Sequence, residues 1–578
     1  MRSSFPSDLA APVTRQRDLG PLKLLVLLLA GMGLASGRYD WAGNPVALRA
    51  YTLSGFFFCL VLTGIYANFR AFGLSNRRVF WPGLTIGALA LNLPYRWLGI
   101  DGLFYLKNHP FSYGVSTSFT PEWLAHGHLA VSWTATNALI FASVAGAAII
   151  WAASRPKMGD GRPRTLFLLL LLLMAAESWM HLSNRSPYSY IPHFQQPPAK
   201  NSLYNYKALP GGLGVVNADF EYFTRLEELF QGNRPDTTML LVRRSFIFYL
   251  SSHLSYFIGY YRAFLVLNLL LWLAATVAMY FLCRDLTGSD TTATSAAGFM
   301  ACGPGFIMYA AQPMAYLPGY AMLAITVFLY HRHIAATRLA GIAAITASGI
   351  LLGLTMLAYD TFAWTLFFIG YALLTRTSLL RATLVVILGA LIYASFLALI
   401  FNVFKFAPED QNDRFIGEAA RHILGLARHP QSAQIFPIIS SFFGDYAQQI
   451  VQVTFYVPIA LAAFGLFLVG TPVRLRAVAL LLLLPSVSTS AFFHFGQSYL
   501  ARFPRFSYAA YPGIVLLAAA AVGRSSEYFG TRGRRRLAWL LLTLPFVASA
   551  VLANLDAFGL MPHLYYHFYF TDGGFFDR

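Results

Sequence analysis

Two pairs of carboxylates stand in the longest polar stretch of the first 400 residues, between strongly apolar blocks. Asp219 and Glu221 lie two positions apart, and Glu227 and Glu228 follow shortly after them. Such a carboxylate can deprotonate an acceptor hydroxyl or amide as general base, or hold a divalent cation beside a phosphate leaving group. Asp219 and Glu221 suit either role if the backbone is extended, because on a helix they would diverge by roughly 200°. The alternative is that the four residues form the solvated face of a short loop helix.

Arginines accompany aromatic residues at the ends of several apolar runs. An arginine in such a place can hold a phosphate through paired hydrogen bonds. The alternatives are contact between arginine and lipid headgroups, and a belt of aromatic residues at the membrane interface. The candidate substrate-binding residues of this kind are Arg243, Arg244, Arg262, Arg502, Arg505 and Tyr508.

Asp360 and one histidine-containing loop complete the set of candidates. Asp360 stands at the end of an apolar run, and an ionisable residue at membrane depth is a functional candidate. A simple turn between two antiparallel spans is the alternative. The segment 99–128 contains Glu-Trp-Leu-Ala-His-Gly-His, which resembles a metal ligand set only loosely. It lacks the order His-Glu-x-x-His of a zinc protease, so the sequence leaves any requirement for a metal open.

The elements that position these residues are membrane helices. The chain has 578 residues, of which 57% are hydrophobic and only 11% charged, which excludes a soluble protein of this length. Apolar runs near the ~20 residues needed to cross a bilayer predict an all-α, polytopic protein with about fifteen spans. The predicted spans are 21–37, 50–69, 79–98, 129–153, 165–182, 262–283, 293–310, 314–331, 340–357, 361–375, 382–403, 451–470, 477–493, 507–523 and 537–555.

The charges sort these spans into an orientation. With the N-terminus inside, the inner loops carry 23 basic and 6 acidic residues, and the rest of the chain carries 19 and 18. This asymmetry follows the positive-inside rule, so the net charge of +18 indicates membrane orientation and not binding of nucleic acid. We therefore predict a multi-pass protein of the cytoplasmic (inner) membrane with the C-terminus outside. The segments 99–128, 183–261 and 404–450 then lie outside, the last with an amphipathic helix that carries Arg421 and Arg428 on one face.

Three stretches give the chain a family resemblance. An acidic outer segment, Asn217–Gly232, leads to Arg243 and Arg244. Tyr261–Asn268 continues through Gly303-Pro-Gly to Gln312-Pro-Met, and Arg502–Pro512 enters a late span. From about residue 165 to 525 the chain resembles the GT-C superfamily of polytopic glycosyltransferases that use polyprenyl-phosphate sugars.

The resemblance implies a division of the chain and roles for particular residues. A GT-C-like transferase module would occupy residues 165–525, preceded by about four extra spans in an N-terminal membrane unit, 1–155, whose role is unknown. The last span and an extracytoplasmic tail would occupy 526–578. Asp219 would be the base or metal ligand, with Glu221 as its substitute, and Arg502 and Arg505 would contact the lipid phosphate. Two departures are the four extra spans and the distance of some 35 residues between the acidic pair and the first helix of the module.

The sequence thus predicts a hexosyl or pentosyl transferase. It would move sugar from a polyprenyl-phosphate donor to an acceptor on the extracytoplasmic face. Membrane lipids would surround it, and the sequence does not decide whether it needs a divalent cation. One alternative is an enzyme of the O-antigen-ligase or polymerase type, which uses a lipid diphosphate donor and in which Arg421 and Arg428 should matter more than Asp219. The others are a transporter or lipid flippase, and an inactive scaffold.

Overall fold

A computed structural model describes about three fifths of the chain. The described residues are 20–36, 45–74, 78–92, 207–208, 215–216, 230, 244–258, 260–303, 316–333, 338–359, 364–375, 377–403, 411–428, 432–454, 456–497 and 504–557. Within them the α-helices are α1 (Gly20–Ser36), α2 (Pro45–Ala71), α3 (Phe80–Asn92), α4 (Ser245–Ile258), α5 (Tyr260–Thr287), α6 (Asp290–Ala301), α7 (Tyr316–His333), α8 (Arg338–Ala358), α9 (Trp364–Thr375), α10 (Leu379–Ala398), α11 (Gln411–Arg428), α12 (Ser432–Thr454), α13 (Val457–Phe467), α14 (Val473–Phe495), α15 (Tyr511–Thr531) and α16 (Arg535–Ala557).

Three short elements accompany the helices. A π-helical turn, Leu399–Val403, continues α10, and a 3-10 helix, Pro504–Ala510, leads into α15. Two strands of two residues, β1 (Lys207–Ala208) and β2 (Val215–Val216), pair antiparallel, with Lys207 opposite Val216. The described fold is therefore helical apart from this one small pair.

Five of the described helices contain a segment long and apolar enough to cross a membrane. The segments are Ala50–Ala71, Val266–Thr287, Gly341–Ala358, Leu379–Asn402 and Val473–Phe495. Four further apolar helices are shorter, among them α9 and α13. The outer faces of several of these helices are apolar, as on α10, where Leu380 and Leu391 are exposed. This is the composition of a helical membrane protein. The predicted spans 129–153 and 165–182 lie outside the described residues, so the count of fifteen stays a prediction.

Most predicted spans in the described part coincide with a helix to within a few residues, but two regions differ. Ser245–Ile258 was expected to belong to an outer segment and instead forms α4, a helix of 14 residues with the consecutive buried residues Ser245–Tyr249. The predicted span 451–470 is divided, because α12 ends at Thr454 and Tyr456 adopts a positive φ of 52° before the 11-residue α13 begins. A non-glycine residue in this conformation interrupts the helical hydrogen-bond ladder.

α15 runs through the centre of the bundle. Its residues from Tyr511 to Gly523 are all buried, and it packs against α6, α13, α14 and α16. Small residues allow these approaches: a Cβ atom at Gly513 would lie 2.5 Å from the Ala479 carbonyl oxygen. A side chain there would force the two helices apart. The core of the predicted transferase module is thus organised around its last helix.

The described N-terminal helices pack against the rest of the bundle. α2 contacts α8 and α4, and the side chains of Phe57 and Phe246 lie 5.5 Å apart between ring centres. Near the other end of α2, Asn68 accepts a hydrogen bond of 2.9 Å from His333 on α7. α1, α2 and the later helices share one hydrophobic core. The predicted boundary near residue 155 lies outside the described residues, so the division into three units stays a prediction.

The described parts of the loops predicted to lie inside come together at one end of the bundle. Arg332 forms an ion pair of 2.7 Å with Asp285, and Arg284 forms one of 2.9 Å with Asp290. The Ser289 hydroxyl contacts the Glu527 carboxylate. We call this the arginine end; it also includes Asn68, His333 and Arg381. The grouping agrees with the charge pattern of the sequence.

Candidate functional site

The opposite end of the bundle carries a continuous set of aromatic side chains that begins at an arginine. The guanidinium carbon of Arg244 lies 4.9 Å from the centre of the Tyr359 ring. Tyr359 contacts Tyr320 at 5.5 Å between ring centres, and Tyr320 contacts Tyr508 at 5.1 Å. Tyr508 stacks on Tyr511 at 5.2 Å. We call these five residues the tyrosine end. They connect α4, α7, α8 and the 3-10 turn that precedes α15.

The tyrosine end is anchored from below by α5 and α6. Trp272 stacks on Tyr508 at 6.3 Å between ring centres and donates a hydrogen bond of 2.7 Å to the Met300 carbonyl oxygen. The Tyr511 hydroxyl donates to the Phe299 carbonyl oxygen near the end of α6. Aromatic pairs of this kind stabilise by about 0.5–1.5 kcal/mol each beyond the area that they bury. These contacts therefore hold the rings of the tyrosine end in fixed positions.

This arrangement joins two of the three stretches on which the family resemblance depends. Trp272 follows the stretch Tyr261–Asn268, and Gly303 begins the sequence Gly-Pro-Gly; both approach the Arg502–Pro512 stretch through Tyr508 and Tyr511. Gly303 lies so close to the Tyr511 ring that a Cβ atom would overlap it, at 2.8 Å from Cζ. The glycine is therefore required by this contact. The stretches are distant in sequence and adjacent in the fold.

The third stretch, the acidic segment, has one described residue within it. Phe230 is fully buried against the bundle, with its ring centre 5.9 Å from that of Phe57 and 5.6 Å from that of Tyr249. Tyr249 lies five positions after Arg244 on the same entry into α4, about 7.5 Å along the helix axis. Phe230, shortly after the two pairs of carboxylates in the sequence, thus packs against the first half of α4.

Some of the predicted site residues lie in the described part of the chain, and others lie outside it. Arg244 is partly exposed, and Tyr508 is fully buried, so that in this structure its ring contributes to packing and has no surface toward a ligand. Arg262 lies in the first turn of α5, and Arg505 lies in the 3-10 helix that leads into α15. The residues outside the described part are Asp219, Glu221, Arg243, Asp360 and Arg502. Asp360 directly follows Tyr359 in the sequence.

Sequence reasoning missed that Tyr359 contacts Arg244 and that Tyr320 contacts Tyr359. Each stands close to the end of a predicted span, where tyrosine is ordinarily a membrane-interface residue. A Cβ atom at Gly319 would lie 3.2 Å from Cγ of Tyr359, so the glycine before Tyr320 allows α7 and α8 to approach. The sequence Pro-Gly-Tyr at residues 318–320 could have indicated a close approach between helices, but it does not show that the neighbouring residue is Tyr359.

A polar group between α12 and α14 was also missed. The His494 ring accepts or donates at Nε2 toward the Ser441 hydroxyl at 3.0 Å, and its Nδ1 lies 3.6 Å from a carboxylate oxygen of Asp445. The order serine, histidine, aspartate is that of nucleophilic catalysis. Here Ser441 also donates to the Ile438 carbonyl oxygen at 3.1 Å, and 59% of the Asp445 side chain is exposed. We interpret the group as a polar clamp that holds α12 on α14.

Among the described residues there is no cluster of three or more His, Cys, Asp or Glu side chains that could hold a metal ion. The carboxylates expected to hold a cation, Asp219 and Glu221, lie outside that part. α11 forms a helix as expected, with Arg421 and Arg428 both exposed.

Comparison with models of protein families, with curated proteins and with solved structures finds no match for the chain.

Proposed function

We propose that the chain is a membrane glycosyltransferase that takes sugar from a polyprenyl-phosphate carrier and transfers it to an acceptor on the extracytoplasmic face. The observation that carries the proposal is the tyrosine end. It joins Arg244, Tyr359 next to Asp360, and the segment that enters α15, at the end of the bundle opposite the arginine end. Phe230 ties the acidic segment to the same region. We propose that the carboxylates of the acidic segment and the arginines of the two helix entries act together at this end.

The proposed chemistry is a single displacement with inversion at the anomeric carbon. Asp219, or Glu221 in its place, accepts the proton from the acceptor hydroxyl or amide as the new bond to the sugar forms. The bond between the anomeric carbon and the phosphate oxygen breaks, and polyprenyl phosphate leaves with the electron pair. Arg243, Arg244, Arg502 and Arg505 stabilise the negative charge that develops on the phosphate. Arg262 and Asp360 would complete the substrate-binding surface.

The packed rings of the tyrosine end give Arg244 a defined orientation through its contact with Tyr359. A guanidinium over a tyrosine ring gains about 0.5–2 kcal/mol, depending on how far it is desolvated. In the proposed complex, the N–H groups of the guanidinium hold the phosphate through paired hydrogen bonds. Positioning of this kind is the main contribution a protein can make when the leaving group is itself a phosphate. Tyr508 supports Arg244 through Tyr320 and Tyr359 and is proposed as a positioning residue.

The donor class is tested with two lipid carriers. Membrane vesicles that contain the protein are supplied with sugars on polyprenyl monophosphate or on polyprenyl diphosphate, and transfer of labelled sugar out of the lipid fraction is measured. We expect transfer from the monophosphate alone, with little change after Arg421→Ala or Arg428→Ala. Transfer from the diphosphate that is lost in these two variants indicates the O-antigen-ligase or polymerase type instead. Movement of the intact donor across the vesicle membrane, without transfer, indicates a flippase.

A further inference from the structure

A cavity of about 290 Å³ lies at the arginine end, between α7, α8 and α10. Its polar lining includes Arg381, His333 and Ser348, and its other walls are largely apolar. The volume is at the lower limit of pockets that bind small molecules, which suits a lipid headgroup better than a whole lipid-linked sugar. The proposed transfer chemistry makes no use of it, since it lies at the opposite end from Arg244 and Tyr359.

The cavity exists because α8 and α10 separate toward the arginine end. Farther along, the two helices touch through glycines: a Cβ atom at Gly349 would lie 2.6 Å from Leu388, and one at Gly353 would lie 2.8 Å from Ile392. This close contact closes the cavity at its deep end. At the open end Gly341 leaves room for the Arg381 side chain, which lies 3.7 Å from the position of a Cβ atom there.

The polar groups of the cavity have capacity for a ligand. Ser348 is only 1% exposed, and its hydroxyl has no hydrogen-bond partner among the described residues. A buried hydroxyl without a partner costs about 1–3 kcal/mol, so a ligand that supplies one gains that energy. Within the same part of the chain, no carboxylate lies within ion-pair distance of Arg381. Ser378 caps α10, accepting a hydrogen bond of 3.4 Å from the Arg381 amide, so the positive end of the helix dipole also faces this place.

The order of groups along the cavity matches a phospholipid that enters from the bilayer. Arg381 is in the first turn of α10, and Ser348 is seven positions beyond Gly341, about 10 Å deeper along α8. Between them the wall is apolar, with Ala344, Ile345 and Val385. In a phospholipid the phosphate is followed inward by the ester groups and then by the acyl chains.

The exposed surfaces next to the cavity are apolar as well. Farther along α10 from Arg381, Leu384, Ile387 and Leu391 are 40%, 48% and 58% exposed, so acyl chains that leave the cavity have an apolar surface on which to lie. His333 is held in the opposite wall, because its Nε2 donates to Oδ1 of Asn68, whose amide donates in turn to the Gly64 carbonyl oxygen. A free phosphate ion would use Arg381 but would leave the apolar wall and Ser348 without a partner.

We propose that this cavity binds one anionic phospholipid, with its phosphate on Arg381 and the first turn of α10 and its ester region at Ser348. The site is independent of the transferase proposal. It would tie α8 to α10 where they separate, and Tyr359 directly follows the other end of α8.

Native mass spectrometry of the purified full-length protein in detergent tests the site, with phosphatidylglycerol and phosphatidylcholine of equal acyl chains as probes. We expect one phosphatidylglycerol molecule to be retained in preference to phosphatidylcholine. Arg381→Gln should weaken retention about ten- to a hundredfold, the amount expected for loss of a charged hydrogen bond. Arg535→Gln, which changes an exposed arginine at the start of α16, is the matched control and should bind as the wild type does.

Two further variants keep the test decisive if Arg381→Gln fails to fold, as judged by gel filtration and melting. Ser348→Ala removes only the buried hydroxyl and should weaken retention several-fold, and Gly341→Leu fills the space beside Arg381 and should abolish it. Equal retention of the two lipids, or unchanged phosphatidylglycerol binding in the folded variants, overturns the proposal. Displacement of the lipid by millimolar inorganic phosphate also overturns it, because a free ion would then be the ligand.

Discussion

At the scale of single residues, Arg244 and Tyr359 make the contact on which the proposed phosphate site depends. The guanidinium carbon of Arg244 lies over the face of the Tyr359 ring, 4.9 Å from its centre. Tyr359→Leu should therefore lower sugar transfer roughly two- to thirtyfold, the equivalent of a cation–π contact of 0.5–2 kcal/mol. Tyr359→Phe keeps the ring and should retain most activity. Initial rates of transfer in vesicles with matched amounts of protein measure both; equal loss in the two variants would mean that the ring does not orient Arg244.

At the scale of elements, the contact between α8 and α10 depends on glycine. A Cβ atom at Gly353 would lie 2.8 Å from both Cβ and Cγ2 of Ile392, whose branched side chain cannot turn away. Gly353→Ala should therefore lower the melting temperature in detergent, because overpacking of about 1–3 kcal/mol exceeds the gain of ~1 kcal/mol in helix propensity. Gly87→Ala in α3 is the control, since nothing lies within 4 Å of its Cβ position. If Gly353→Ala melts no lower than Gly87→Ala, the close approach of the helices is wrong.

Sequence patterns predicted some of the helices correctly and missed other features of the fold. Long apolar runs gave helices such as α5, α8 and α14 nearly at their observed ends, because burial in lipid requires about twenty apolar residues. α4 was missed because its 14 residues are too few for that pattern and follow two arginines. The break at Tyr456 was missed because hydropathy carries no information about φ.

At the scale of the whole molecule, the bundle has an arginine end and a tyrosine end, and the charge pattern predicts that the arginine end faces the inside of the cell. We expect a cysteine at Arg428 to react with a membrane-impermeant maleimide in intact cells, and one at Arg535 to react only after the membrane is opened. Both arginines are exposed, while the native Cys283 and Cys302 are buried and Cys59 is half-buried, so wild-type protein gives the background. The reverse pattern of labelling, or labelling of both positions from outside, would contradict the orientation predicted from the sequence.

The candidate site could be predicted only in part. The charge pattern placed Arg244 away from the arginine-rich loops, and the family resemblance selected the stretches that contain Tyr508 and Gly303. Which helices are neighbours depends on close contacts such as Gly319 with Tyr359, and no periodicity in a single sequence specifies these pairs. Tyr508 illustrates the limit: it was expected to contact substrate, and its ring is buried between Trp272 and Tyr511.

The central claim is that an outer carboxylate of the acidic segment deprotonates the acceptor, and a pair of matched substitutions tests it most directly. Asp219→Asn and Asp445→Asn each neutralise one carboxylate in segments predicted to face the same side, and Asp445 belongs to the clamp between α12 and α14. Transfer of labelled sugar is measured in vesicles with equal amounts of each protein. We predict that Asp219→Asn abolishes transfer, while Asp445→Asn retains it. Full activity of Asp219→Asn alone would move the role of base to Glu221, and full activity of the double variant Asp219→Asn, Glu221→Gln would contradict the account.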